Sequence, residues 1–327
     1  MLTRRTFLAS LIIADTLGIT GSAAAPSYPS HPITLIVPTA AGGSADSLGR
    51  IIAEQMRTKL GQPVIIENAG GAAGNIGAGR VARAKGDGYT LLLGNFATQV
   101  VNGAVYALPY DLVSDFEPIS LIASAPLVIV ARKAMPARDL NELIAWLKKN
   151  PDKASQGTNG SGSVMHLAGI LFQKETGTHF QFVPYRGAGP TIQALLGGEI
   201  EIYIGVAGDC MPQVRAGSIK AYAVTAPARI ASAPDIPIVD EAGLPGLYVS
   251  AWNSLWAPKG TPKDVIGKLN TAVVDALGDA AVRTHIAELT YEIPPPDQQG
   301  PQALAAFHKA EIDKWWPIIR AAHIEVE

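Results

Sequence analysis

Residues 33–46 read ITLIVPTAAGGSAD. An apolar run of strand length comes first, an amphipathic run over 45–60 follows, and the turn between them holds only small residues after its proline. This is a strand–loop–helix unit whose loop carries no side chain able to attack, protonate or strongly ligate. Such a loop brings bare backbone N–H groups to the head of a helix, where the first turn has donors without intrahelical acceptors. A tight turn would need the same small residues, so the rest of the chain has to distinguish the two.

The unit recurs. Strand candidates lie at 33–38, 64–67, 89–94, 126–131, 180–184, 200–206, 219–225 and 248–257. Helix candidates lie at 45–60, 75–84, 139–149, 164–176, 189–196, 262–278, 280–289 and 301–322. Short Gly/Pro links join them, which predicts an α/β fold of mainly parallel sheets with flanking helices. Residues 157–166, GTNGSGSVMH, form a second Gly/Ser loop at the head of a helix. Loops of this class sit at the carboxyl ends of parallel strands, where open α/β folds bind ligands. Two of them make an anion site from amides and helix dipoles. Equally, they are plain turns, with Ser44 and Ser163 as N-caps and Asp46 in a first turn. The residues alone leave both readings open.

Composition narrows the class. The 327 residues suffice for two domains, and 26 Lys plus Arg against 28 Asp plus Glu leave a net charge of −2. No basic run tracks a phosphate backbone, so nucleic acid is not an expected partner. A single cysteine, Cys210, forms no internal disulfide and no thiolate zinc site; it is read as a shielded thiol in a loop. At the N-terminus, Arg4-Arg5 precedes an apolar stretch to Ile19 and the small residues 21–25. This reads as a twin-arginine type signal peptide over 1–24, cleaved after Ala24, which predicts a soluble periplasmic protein. The apolar part, broken by Asp15, is too short to span a bilayer.

The sequence carries no catalytic or cofactor pattern with the required spacing. GGAAGNIGAG (70–79) does not space its glycines as G-x-G-x-x-G, and no Walker lysine follows; it reads as a turn and the start of helix 75–84. The six histidines form no i, i+4 pair, so neither a metal nor a cofactor is expected. His166 closes the second loop, where its imidazole either donates to an anion or orients the backbone. Trp315-Trp316 is read as core.

Several stretches, in order, resemble one family. They are YPSHPITLIVPTAAGGSAD, LGQPVIIENAGGAAGNIGA, DGYTLLLGN, VPYRGAGPTIQALLGGEIE, AYAVTA, IPIVDEAGLPG and LWAPKGTP. Together they look like the substrate-binding proteins of tripartite tricarboxylate transporters, the Bug receptors, over almost the whole chain after Tyr28. The resemblance implies a periplasmic-binding-protein-like Venus flytrap: 28–125 with 233–327 as one domain, 126–232 as the other, and a ligand cleft between. It also implies capture of a small organic carboxylate by hinge closure, with delivery to membrane permease subunits. The expected ligand-binding residues are Thr39, Ala40, Ala41, Gly42, Gly43 and Ser44 from the first loop. The second loop supplies Thr158, Asn159, Gly160, Ser161, Ser163 and His166, and Asn95 ends strand 89–94. Thr39 stands where the family commonly has an aromatic. After strand 200–204, where the family often has an acid or amide, this chain has Gly205-Val206-Ala207-Gly208 with Asp209 displaced. That change argues against an ammonium-bearing ligand. With Arg186 available to a second carboxylate, the expectation is a dicarboxylate, long and aromatic ones included, bound by a monomer without catalysis. Two rivals stand beside this reading: an exported ester hydrolase using Ser161 or Ser163 with His166, and a ligand sensor for a signalling kinase.

Overall fold

The computed structural model describes residues 28–151, 153–230 and 234–322; the expected signal peptide lies outside the described residues. The strands are β1 (Ile33–Val37), β2 (Val64–Asn68), β3 (Thr90–Asn95), β4 (Phe116–Arg132), β5 (Ser155–Thr158), β6 (Gln181–Pro184), β7 (Ile202–Val206), β8 (Ile219–Val224) and β9 (Ser250–Pro258). The helices are α1 (Ser44–Leu60), α2 (Asn75–Ala82), α3 (Asn102–Val105), α4 (Leu140–Lys149), α5 (Val164–Thr176), α6 (Ala188–Gly197), α7 (Ala207–Arg215), α8 (Lys263–Gly278), α9 (Ala280–Glu288) and α10 (Pro301–Ala321). A 3-10 turn, Ala72–Gly74, leads into α2, and a π-helical turn, Ala97–Val101, leads into α3. Helix α1 shows why these runs fold as they do. Leu48, Ile52 and Met56 recur every four residues and are fully buried, and Gly61 ends the helix at φ 68°.

One sheet runs β2-β1-β3-β9-β4-β7-β5-β6, with β8 paired to β4. Within β2-β1-β3 and β7-β5-β6 every pairing is parallel, as the sequence predicts. All pairings of β4 and β9 are antiparallel, so the sheet as a whole is mixed rather than mainly parallel. The reason is that β4 and β9 are not βαβ strands: they cross between the two halves. Residues Phe116 to Pro126 of β4 pair with β9, and from Leu127 onward the partners are β7 and β8.

That crossing creates the cleft. Strands β1–β3 run in the direction of β4, whereas β5–β7 run against it, so the carboxyl ends of the two triplets point at each other. Asn95 ends β3 level with Asn253, which is level with Ala123 of β4, and Val206 ends β7 level with Leu127. Four residues of strand separate those levels, about 13 Å. Loops leaving the two sets of strand ends therefore face one another across a gap of small-molecule size.

Several elements depart from the sequence reading. Strand β4 begins ten residues before the expected 126, and β5, SQGT, was not anticipated. Cys210 lies in helix α7, not in a loop, because α7 tolerates Pro212 within its nine residues; the thiol is nevertheless fully buried, as expected. Trp315 is core, and the Trp316 indole donates to the Val100 carbonyl at 2.9 Å. The largest apolar cluster joins α10 to residues on both sides of the crossing, among them Phe96, Leu127 and Leu167.

Candidate functional site

The two Gly/Ser loops are built alike. In the first, Gly42 (φ 87°) donates its amide to the Asp46 carboxylate at 2.9 Å, and Gly43 is the N-cap of α1. In the second, Gly162 (φ 74°) donates its amide to Nδ1 of His166 at 3.1 Å, and Ser163 is the N-cap of α5. Each loop thus closes on a side chain four residues ahead, in the manner of a capping box shifted by one position. Ser163 caps as expected, its Oγ accepting from the His166 amide at 3.3 Å, but Ser44 does not: it is the first residue of α1, and its Oγ meets the Tyr291 hydroxyl at 3.3 Å.

Consequently the Gly42 and Gly162 amides are committed to the scaffold. The amides of Gly43, Ser44 and Ala45, and of Ser161, Val164 and Met165, have no protein acceptor among the described residues. These are the donors that the two helix N-termini leave over. Asp46, 3% exposed, is itself held by the Arg50 guanidinium (3.1 Å) and the Asn68 amide (3.0 Å). The Arg50 hydrogen bond, followed by that from Gly42, lowers its pKa to about 2, so it stays ionised and paired. Burial lowers the pKa of His166, and the Gly162 N–H fixes its neutral tautomer with the proton on Nε2.

Two asparagines, one per half, add side-chain donors. Asn95 Oδ1 accepts from the Thr98 backbone N–H at 3.0 Å, and the Asn95 backbone N–H donates to Thr98 Oγ1 at 3.0 Å. Asn159 Oδ1 accepts from the Tyr203 hydroxyl at 2.9 Å and from Thr191 Oγ1 at 3.2 Å. In both, the carbonyl oxygen is tied to its own half, while Nδ2 has no partner among the described residues.

The other expected residues differ in exposure and in what holds them. Ala40 and Ala41 are exposed in the first loop, and Thr39 beside them has a buried Oγ1 without a partner among the described residues. Gly160 (φ 113°) opens the turn of the second loop. Thr158 stays in the sheet, 1% exposed, its carbonyl accepting from the Tyr185 amide at 2.9 Å. The next residue, Arg186, is exposed and has no ion-pair partner among the described residues. Ala207 is buried, so only its backbone can reach the cleft at the head of α7. Asp209, in the first turn of α7, is reached by solvent, and partial desolvation raises its pKa. Beside it, α7 touches the opposite half: a Cβ at Gly208 would collide with the Thr290 side chain.

One feature was missed in the sequence. A pocket of about 170 Å³ lies between Ser161–Ser163 and a wall formed by Ala73, Ala97, Val101, Asn102, Val105 and Tyr106. Ala72 and Ala73 hold positive φ (47° and 54°), and buried Asn102 fixes that turn by donating to the Ala73 carbonyl at 3.0 Å. The run read as a packing turn, 70–79, is therefore also a cleft wall; its alanines gave no sign of left-handed backbone. Chemically the site offers hydrogen-bond donors and apolar surface. No group of three or more His, Cys, Asp or Glu able to hold a metal exists among the described residues. Ser163 Oγ caps a helix and His166 Nδ1 is engaged by an amide, so no serine is paired with a base there.

Known proteins resemble this chain in sequence and fold. The model of the tripartite tricarboxylate transporter family receptor matches residues 48–324. Protein BugT of Bordetella pertussis is 34% identical over 313 residues, covering 94% of each chain. The structure of MatC from Rhodopseudomonas palustris with bound malate is 37% identical, covers 89% of this chain and 100% of its own, and superposes with a TM-score of 0.74. A second R. palustris structure, with adipate, is 32% identical, covers 91% and 99%, and gives a TM-score of 0.76.

Proposed function

The chain belongs to the tripartite tricarboxylate transporter receptor family, and from that premise we propose that it is a periplasmic receptor that captures a small organic carboxylate in the cleft between its halves. One observation carries the reading: two loops of the same design, one from each half, leave unpaired amides at facing helix N-termini, flanked by the Nδ2 groups of Asn95 and Asn159. Such a set stabilises an anion without a cation. The two relatives with bound malate and adipate support the ligand class. Each hydrogen bond to an ionised carboxylate contributes about 1.5–3 kcal/mol, so four to six of them, less ordering costs, give about micromolar binding or tighter.

The two domains proposed are 28–125 with 233–327, and 126–232; the change of partners along β4 at Pro126 and Leu127 supports this boundary. Closure is a hinge motion at the β4 crossing and the return crossing between β8 and β9, and the closed form is what the permease subunits would recognise. Within the carboxylate class the proposed ligand is a dicarboxylate. Its near carboxylate lies against Gly43–Ala45 and Ser161, its body lies beside the slot at Ala97 and Val101, and its far carboxylate meets Arg186.

Titration calorimetry and thermal shift with succinate, malate, adipate and aromatic diacids, against sugars and amines, test the reading. A ligand at 100 times its dissociation constant adds about 2.7 kcal/mol of stability. Stabilisation by sugars or amines and by no organic acid would refute the function. Arg186→Gln that weakens diacids and monoacids equally would refute the second anchor alone.

A further inference from the structure

The way Asn159 is held has a chemical consequence. Its amide group could face the cleft with either end, NH2 or carbonyl, and the two ends recognise opposite ligand groups. Tyr203 is 0% exposed on β7, and its hydroxyl reaches Asn159 Oδ1 at 2.9 Å, its sole hydrogen-bond partner among the described residues. A buried hydroxyl needs an acceptor, so turning the Asn159 amide over would leave the Tyr203 proton facing an NH2 group. Thr191, also 0% exposed, shares its single proton among the Gly187 carbonyl (2.8 Å), Asn159 Oδ1 (3.2 Å) and the Thr158 carbonyl (3.4 Å), so Tyr203 is the firmer tie. The ring can lie along the strand because residue 205, two positions on and on the same face, is glycine: a Cβ there would collide with the Tyr203 ring. Burial also pushes the Tyr203 pKa up, which keeps the hydroxyl a donor.

We propose that Tyr203, laid over Gly205, is a specificity-determining positioning residue: it fixes Asn159 with Nδ2 toward the cleft, so that this subsite takes groups that only accept hydrogen bonds, carboxylates before carboxamides or ammonium ions. Asn95 is set the same way from the other half by Thr98, and the two NH2 groups form a matched pair of donors. The proposal rests on the reading of the cleft as a carboxylate site.

The test uses Tyr203→Phe, which keeps the ring and removes the tie, with calorimetry on the tightest binder among succinate, malate, adipate and aromatic diacids and on its monoamide. In Tyr203→Phe the diacid should lose about fivefold to tenfold in affinity and the monoamide much less, because Asn159 can then turn. Asn159→Ala should bring acid and monoamide closer together, and adding Tyr203→Phe to it should change nothing more. Gly205→Ala, which displaces the ring, should reproduce the loss of preference. Equal weakening of acid and monoamide by Tyr203→Phe, or additive effects of the two substitutions, overturns the proposal while leaving the carboxylate reading intact. If none of these acids, the aromatic ones included, binds the wild-type protein, the carboxylate reading fails and this proposal falls with it.

Discussion

Replacing Asp46 by alanine tests whether the first loop is prebuilt. The carboxylate accepts three hydrogen bonds, from the Gly42 amide at 2.9 Å, Arg50 Nε at 3.1 Å and Asn68 Nδ2 at 3.0 Å. Bonds to a charged group are worth about 1.5–3 kcal/mol each, and neutral ones about 0.5–1.5. Gly42 and Arg50 are exposed and can turn to water once the acceptor is gone, whereas Asn68 is half-buried. Counting one bond in full and the others at the low end gives a loss of about 2–4 kcal/mol. Urea unfolding reads that loss, and hydrogen exchange over residues 40–47 should show the loop amides losing protection. Asp46→Asn, which keeps an acceptor for Gly42 but drops the charge beside Arg50, should fall between. A change under about 0.5 kcal/mol with unchanged exchange in Asp46→Ala would mean that the loop does not depend on this carboxylate.

Further outcomes follow from the same contacts. Burial holds the His166 pKa below its ordinary 6.5, so the unfolded chain takes up the proton first. The contribution of His166 to stability is therefore complete above that value and is lost as pH falls. The melting-temperature gap between wild type and His166→Gln should shrink between about pH 7.5 and pH 5.5, and a widening gap would reverse the sign of the argument. Gly208→Ala should cost about tenfold or more in ligand affinity by pushing α7 off Thr290, and Thr290→Gly in the same chain, which also removes the Cβ that the new methyl would meet, should restore it. Binding unaffected by Gly208→Ala would show that this contact does not limit closure. Burial, with Asp209 adding to it, raises the Cys210 thiol far above its ordinary range. A thiol reagent at pH 8 should leave it untouched until denaturant is added; reaction in the native protein would contradict the packing of α7.

How much of this was legible in the sequence depended on the kind of signal. The unit at 33–46 was readable because an apolar strand and a residue-poor loop mark themselves. Strand β5 was not: SQGT has no apolar residue, yet it lies between β7 and β6, with Gln156 fully buried and its amide donating to the Met165 carbonyl at 2.9 Å. Pro118 hid the first half of β4, and Pro212 hid α7. The composition of the two loops marked them as candidates for the site, but not which amides they keep for themselves. Gly42 and Gly162 look like their neighbours in sequence, and only the reach of Asp46 and His166 removes them from the set of donors. Tyr203 gave no functional signal either, since its place in an apolar strand reads as core.

The position of β9 also bears on how the chain is made. β3 ends at Asn95, and its antiparallel neighbour begins only at Ser250. At ordinary ribosomal speed the intervening stretch takes about 10–30 s to synthesise. Throughout that time Leu91–Leu93 present an unsatisfied apolar border to the growing polypeptide. The first-made lobe therefore finishes last, and a chain truncated before Ser250 retains an open edge suited to pairing with a second nascent copy.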